Sequence, residues 1–86
     1  MEYPLNTWSR LGPAVRDRRR AAGLTQAELA DRAGVSRAWV IRLERGLDNA
    51  EPARVLAVLR ILGLDLVLRE HQVSEDEDLL REVLGE

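Results

Sequence analysis

The side chains best equipped to act on another molecule are arginines. In the stretch "ADRAGVSRAWVIRLERG", residues 30–46, Arg37 follows Gly34 by three positions, directly after Ser36. Arg42 shares a helical face with Ser36, Arg37 and Ala38 if the stretch continues as a helix. A guanidinium is a planar, permanently charged fork of donors that matches two acceptors at once, as on the edge of guanine or on a phosphate. The chemistry this spacing offers is recognition, not bond making. The types needed for covalent or metal chemistry are missing. There is no cysteine, which excludes a disulfide framework and a thiolate metal site. His71 stands alone and reads as a surface histidine. No Ser-His-Asp set, catalytic carboxylate pair or phosphate loop is present, and "SEDED" lacks the ligand spacing of a calcium loop. The expectation is no enzyme, no metal and no cofactor.

The elements that must hold these residues are legible as helices. "SRLGPAVRDRRRAA", residues 9–22, reads as a first helix capped by Ser9, with Leu11, Val15 and Ala22 on one face. Pro13 belongs in its first turn, and Gly23 ends it. "TQAELADRA" reads as a second helix, with Thr25 and Glu28 forming a capping box. Leu29 and Ala33 face inward with Ala30 beside them, Gly34 breaks the helix, and Val35 follows as a buried staple. "SRAWVIRLER" is the third, capped by Ser36, with Val40 and Leu43 inside and Gly46 at its end. "PARVLAVLRIL" is the fourth, with Pro52 at its favoured first position. Val55, Leu56, Leu59 and Leu62, extended by Val58 and Ile61, form a stripe wider than a four-helix core needs. Beyond Gly63, Leu64, Leu66 and Leu68 alternate with Asp65, Val67 and Arg69, a strand pattern. One strand in a helical chain needs a partner for its backbone, and the same strand of a second copy supplies one. Ser74 can cap a short amphipathic helix carrying Leu79, Leu80, Val83 and Leu84, with disorder as an equal alternative.

At 86 residues the chain reads as one small domain. A domain of that size is marginal alone, and with cysteine absent, oligomerisation is the remaining support. The net charge of −2 conceals a polarised molecule: residues 1–45 carry nine Arg against five acids, residues 46–86 four Arg against ten. A solvated helical surface with an acidic tail accounts for the charge equally well. No apolar run approaches the ~20 residues of a membrane span, and "MEYPLNTWSR" lacks a signal-peptide pattern, so a soluble cytoplasmic protein is expected.

Two short helices about a glycine turn form the helix-turn-helix pattern. "TQAELADRAGVSRAWVIRLERG", residues 25–46, strongly resembles the motif of phage-repressor-like (XRE family) DNA-binding domains, most specifically in "TQAELA", "AGVS" and "LERG". "LDNAEPARVLAVLRILGLDLVLRE" is similar to the end of HipB-like antitoxins. The resemblance implies an all-α, four- to five-helix lambda-repressor-like domain with one short C-terminal strand pairing across a homodimer. It divides the chain into residues 1–70, for DNA binding and dimerisation, and an acidic tail, residues 71–86. It implies two partners besides a second copy: a palindromic double-stranded DNA operator and a HipA-like toxin kinase.

In such a motif the N-terminal residues of the second helix reach base edges, here Ser36, Arg37 and Ala38, with Arg42 one turn on. Arg37 is the leading candidate for guanine, with a solvated surface charge as the alternative. Ala38 suits a thymine methyl, or serves helix propensity alone. The resemblance gives Gln26 a phosphate contact at a helix N-terminus, with a plain helix former as the alternative. Arg45, Asn49 and the start of the fourth helix are candidates for the next phosphate, with Arg54 a weaker one. Arg19 and Glu44 match a structural ion pair bridging the first and third helices. Arg16, Arg18 and Arg20 either solvate the first helix or approach phosphate. Trp39 and Ile41 depart from the family pattern. For Trp39 a backbone or base contact ranks ahead of a partner protein or the core, while Trp8 reads as a packing anchor for the first helix. Dimerisation falls to Leu59, Leu62, Leu64, Leu66, Val67 and Leu68. The leading expectation is a sequence-specific repressor acting as an antitoxin; the alternatives are a stand-alone regulator and mainly a toxin-binding module.

Overall fold

The computed structural model describes residue 5, residues 8–47, residues 49–70 and residue 85. His71 and the tail helix expected after Ser74 lie outside the described residues. A 3-10 turn over Trp8–Arg10 leads directly into α1 (Leu11–Ala21). It is followed by α2 (Gln26–Ala33), α3 (Arg37–Glu44) and α4 (Pro52–Ile61). Among the described residues the chain is all-helical. Residues 64–70, expected as a strand, have no regular secondary structure. A strand needs a ladder partner, and the single chain offers that segment none among the described residues.

Local chemistry explains where the helices start and stop. At α2 the Thr25 hydroxyl accepts the Glu28 amide at 3.0 Å, and the Thr25 amide donates to Glu28 Oε1 at 3.1 Å. At α3 the Ser36 hydroxyl accepts the Trp39 amide at 3.0 Å. Helix α1 differs from the expectation. Arg10, not Ser9, occupies its N-cap, without a side-chain cap bond, because the 3-10 turn already delivers helical backbone to Leu11. Pro13 falls in the first turn, where its missing N–H costs nothing. Among the described residues every helix stops in the same way, at a glycine with φ between 69° and 97°. The next residue's amide reaches back to the last full turn: Leu24 to Arg19 O, Val35 to Ala30 O, Leu47 to Arg42 O and Leu64 to Leu59 O. This is the Schellman pattern. All four of those apolar residues also pack against the core, so each stop is fixed by backbone bonding and burial together.

The core is built from Leu11, Val15, Leu29, Ala30, Trp39, Val40, Leu43, Ala50, Val55, Val58, Leu59 and Leu62. Several expectations need correction. Trp39 is 3% exposed, not outward. Helix α3 packs on both α1 and α2, which widens its buried face to residues 39, 40, 43 and 44, and the indole lies one turn before Leu43. Leu59 and Leu62 are 5% and 2% exposed. They fill this chain's own core and leave no surface for a second copy. Within the α4 stripe Leu56 is 48% exposed and does not join the core, and Ala22, beyond the end of α1, is also exposed.

Gly12 sits where α1 crosses the end of α3. A Cβ there would collide with the Leu43 carbonyl oxygen and lie 2.8 Å from that of Glu44. In a free helix, glycine to alanine gains ~1 kcal/mol. Here the obstacle is backbone, which cannot rotate away. Gly12→Ala should therefore lose about 1–3 kcal/mol net in urea denaturation, and a gain would refute the close approach. The box at α2 has a pH signature. Hydrogen bonds from the Thr25 amide and then its hydroxyl hold the Glu28 carboxyl below its ordinary pKa of 4.5. A lowered folded pKa stabilises at pH above the unfolded value and is lost as pH falls through the folded one. Gln at this position keeps the box without titrating. The melting-temperature advantage of wild type over Glu28→Gln should be present at pH 7, begin to shrink as pH falls to the unfolded-state pKa and disappear once pH has passed the lower folded-state value.

Candidate nucleic-acid interface

The outward face of α3 is the complement of its buried stripe. Ser36, Arg37, Ala38, Arg42 and Arg45 are exposed and Ile41 is half-buried. Among the described residues Arg37, Arg42 and Arg45 have no carboxylate partner. The face thus presents three uncompensated guanidinium groups within three turns. Burial of Trp39 removes its indole from this surface, because the ring needed to touch a base lies under the helix. Asn49, in the loop after α3, is exposed.

A polar network behind this face sets the relation of α1, α2 and α3. Arg19 and Glu44, 8% and 7% exposed, form a two-pronged pair. Arg19 Nε donates to Glu44 Oε2 at 2.7 Å, and a terminal guanidinium nitrogen to Oε1 at 3.0 Å. Arg19 also donates to the Leu24 carbonyl at 2.8 Å, fastening the α1–α2 turn. Gln26 Nε2 donates to Glu44 Oε1 at 3.2 Å. The hydrogen bonds that Arg19 donates to Glu44, helped by the carboxylate charge, hold its guanidinium above the ordinary arginine pKa against the opposing effect of burial.

Gln26 therefore leans on the network and keeps one amide hydrogen and its oxygen for another partner. It sits at the first turn of α2 in a shallow surface depression lined also by Gly23, Leu24, Thr25, Ala27, Arg19 and Arg37. The capping box occupies the amides of Thr25 and Glu28. The amides of Gln26 and Ala27 remain at the open end of the helix. Helix dipole, amides and the Arg37 side chain converge there on a seat for an anion. The start of α4 is less suited. Its N-cap is Glu51, which pairs with Arg54 at 3.1 Å and puts negative charge where a phosphate would approach.

Two sequence expectations shift. Arg18 neither solvates α1 nor faces a phosphate: its Nε donates to the Leu62 carbonyl at 3.0 Å, closing the C-terminus of α4. Trp8, 41% exposed, is more than an anchor for α1, since its indole N–H donates to the Leu47 carbonyl at 2.7 Å. Arg16 lies 3.7 Å from Asp17. The bonds from Arg18 and Trp8, like that between Gln26 and Glu44, join residues 18 to 44 positions apart, and no local pattern signals them.

Removing one partner of a buried pair leaves the other charged and desolvated. Glu44→Ala should cost about 3–5 kcal/mol, a large share of a small domain's stability. The double variant Arg19→Met/Glu44→Leu should recover most of it in chemical denaturation. A double variant no better than Glu44→Ala would show that the charge is not what the single variant exposes.

Comparison with known proteins agrees with this geometry. Residues 10–72 match the model of the helix-turn-helix domain family. An uncharacterized HTH-type transcriptional regulator of Methanothermobacter thermautotrophicus is 44% identical over 59 residues, 66% of this chain and 75% of that protein. Among solved structures the fold is similar to HipB in a HipB–O2 20mer complex, with TM-score 0.77 and 26% identity, covering 84% of this chain and all of that one. It is also similar to a chain of a HipA–HipB–O2–O3 complex, with TM-score 0.76 and 25% identity, covering 83% of this chain and all of that one. With a buried Arg19–Glu44 brace, an open α2 terminus and an exposed basic face on α3, the chain belongs to the helix-turn-helix domain family, as an XRE-like member close to HipB.

Proposed function

We propose that this protein is a sequence-specific transcriptional repressor that binds a palindromic operator as a homodimer. The observation that carries the reading is the exposed, uncompensated row of Ser36, Arg37, Ala38 and Arg42 on a helix whose opposite face is locked into the core. Placed in the major groove, α3 aims its first turn at base edges. Arg37 forks onto guanine, Ala38 meets a thymine methyl, and Arg42 reaches a neighbouring base or phosphate. Gln26 and the start of α2 hold one phosphate, Arg45 and Asn49 the next. Residues 64–69 supply the dimer contact. Leu66, Val67 and Leu68 are 61%, 73% and 97% exposed, and pairing this segment with its copy would satisfy its backbone and cover those side chains. Leu64 already packs on its own core and adds less.

The likeness to a chain of a HipA–HipB–O2–O3 complex supports a further assignment: an antitoxin that represses its own operon and neutralises a HipA-like toxin kinase. The relative described as an HTH-type transcriptional regulator favours a second reading, a regulator with no toxin partner. Co-purification with the product of the adjacent gene separates the two. Neither reading calls for catalysis or a cofactor, and among the described residues no helix is long and apolar enough to cross a membrane.

The test is binding to duplexes from the region upstream of its own gene across a salt series. Arg37→Ala should lose about 1–3 kcal/mol on the operator and little on random DNA, collapsing discrimination. Gln26→Ala should weaken both equally and leave the salt slope nearly unchanged, because a neutral amide releases no counterion. Absence of salt-sensitive binding to any upstream palindrome would end this reading. Half-sites should lie ~34 Å apart, one turn of DNA, so inserting half a turn between them should abolish tight binding by the dimer.

A further inference from the structure

The contact between Trp8 and Leu47 ties the N-terminal 3-10 turn to the loop between α3 and α4, across 39 residues of sequence. That loop leaves α3 at Arg45, turns at Gly46 with φ 97° and reaches the exposed Asn49. Its first half is held from one side by the backbone of α3: the Gly46 amide donates to Leu43 O at 3.0 Å and the Leu47 amide to Arg42 O at 3.1 Å. The Leu47 carbonyl takes its partner from the other end of the chain. The indole N–H of Trp8 takes it at 2.7 Å, a short bond. A half-exposed aromatic with its donor aimed at a loop carbonyl suits a clamp better than a core anchor, since its ring is 41% exposed and absent from the hydrophobic cluster.

We propose that Trp8 is a positioning residue for DNA backbone binding: by holding the Leu47 carbonyl it fixes the direction in which Arg45 and Asn49 are presented to a phosphate. This rests on the DNA-binding reading above. With the clamp closed, two phosphate-directed side chains flanking Leu47 leave a loop pinned on both sides, and little loop freedom is lost on binding. With it open, the loop hangs from the α3 end alone and the contact must be ordered at each encounter. The effect falls on backbone contacts, which carry affinity without sequence information. Trp8 and Arg37 are therefore separable: one sets general affinity, the other discrimination.

The test is Trp8→Phe in the full chain, which keeps an aromatic body and removes the donor. The probes are a random-sequence 20-base-pair duplex and a duplex from the protein's own upstream region, titrated by fluorescence anisotropy across a salt series. The expected result is an affinity about three- to ten-fold weaker on both duplexes, with an unchanged ratio between the two and a nearly unchanged salt slope, because the Arg45 contact still forms at an added ordering cost. The melting temperature should fall by no more than about 8 °C, the scale of one exposed hydrogen bond. In the free protein the Trp8 indole N–H should be protected from exchange, and Trp8→Phe should shift the amide resonances of Gly46, Leu47 and Asn49. Wild-type affinity in Trp8→Phe, or a loss of discrimination without loss on random DNA, would overturn the positioning role. A wild-type protein that binds neither duplex would end the DNA reading and the phosphate role with it, whereas an unprotected indole would refute the clamp itself while DNA binding stood.

Discussion

The arrangement of the first three helices depends on the bidentate pair between Arg19 and Glu44. Two charges withdrawn from water in a small domain are tolerable only if almost every donor and acceptor is used. Here the guanidinium satisfies two carboxylate oxygens and the Leu24 carbonyl, and the carboxylate takes the Gln26 amide as well. The pair is directional where an apolar contact is not. A slip of α3 along α1 by one residue would misalign both prongs together. Its contribution is register more than net stability: it fixes where the first turn of α2 stands relative to α3, and hence the separation between Gln26 and the exposed row led by Arg37.

The hydrophobic core does the complementary work. Helix α2 lies between α3 and α4, so the two helices of the motif are backed on one side only and the other side stays open. Burial of Trp39 belongs to this division. A large ring under α3 lifts the helix on a rigid support and leaves the small Ala38 and the long arginines as its outer relief. The same core takes Leu59 and Leu62, which confines the apolar surface left for other chains, among the described residues near the C-terminus, to Leu56 and the segment after Leu64.

Much of the scaffold was legible because its signals are local. Thr25 with Glu28, Ser36 before an apolar period, Pro52 at a helix start and a glycine at each helix end are decisions made within four residues, and the structure has each of them. The Arg19–Glu44 bridge was legible only through family resemblance, since 25 positions separate its partners. Where local reading failed, the cause was tertiary. The period of α3 placed Trp39 at the margin of its inner face, and contact with two helices moved that margin outward. The apolar stripe of α4 looks like surplus in the sequence because the depth of the core it fills is invisible in one dimension. Arg18, Gln26 and Trp8 resemble ordinary surface residues until the chain folds and carbonyls or carboxylates arrive beside them. The alternation after Gly63 is a strand pattern whose ladder a single chain does not supply.

The way the helices end has a consequence for their motion. Among the described residues all four helix C-termini are sealed by glycine and a partly buried apolar residue, but only α2 and α3 also carry side-chain caps at their N-termini; α1 and α4 begin without one. Helices fray from unsealed ends. Thermal opening in this domain should therefore begin at the outer helices and spare the central pair. Among the described residues the central pair that presents the exposed arginines is then the least compliant part: a stiff template held in a softer frame.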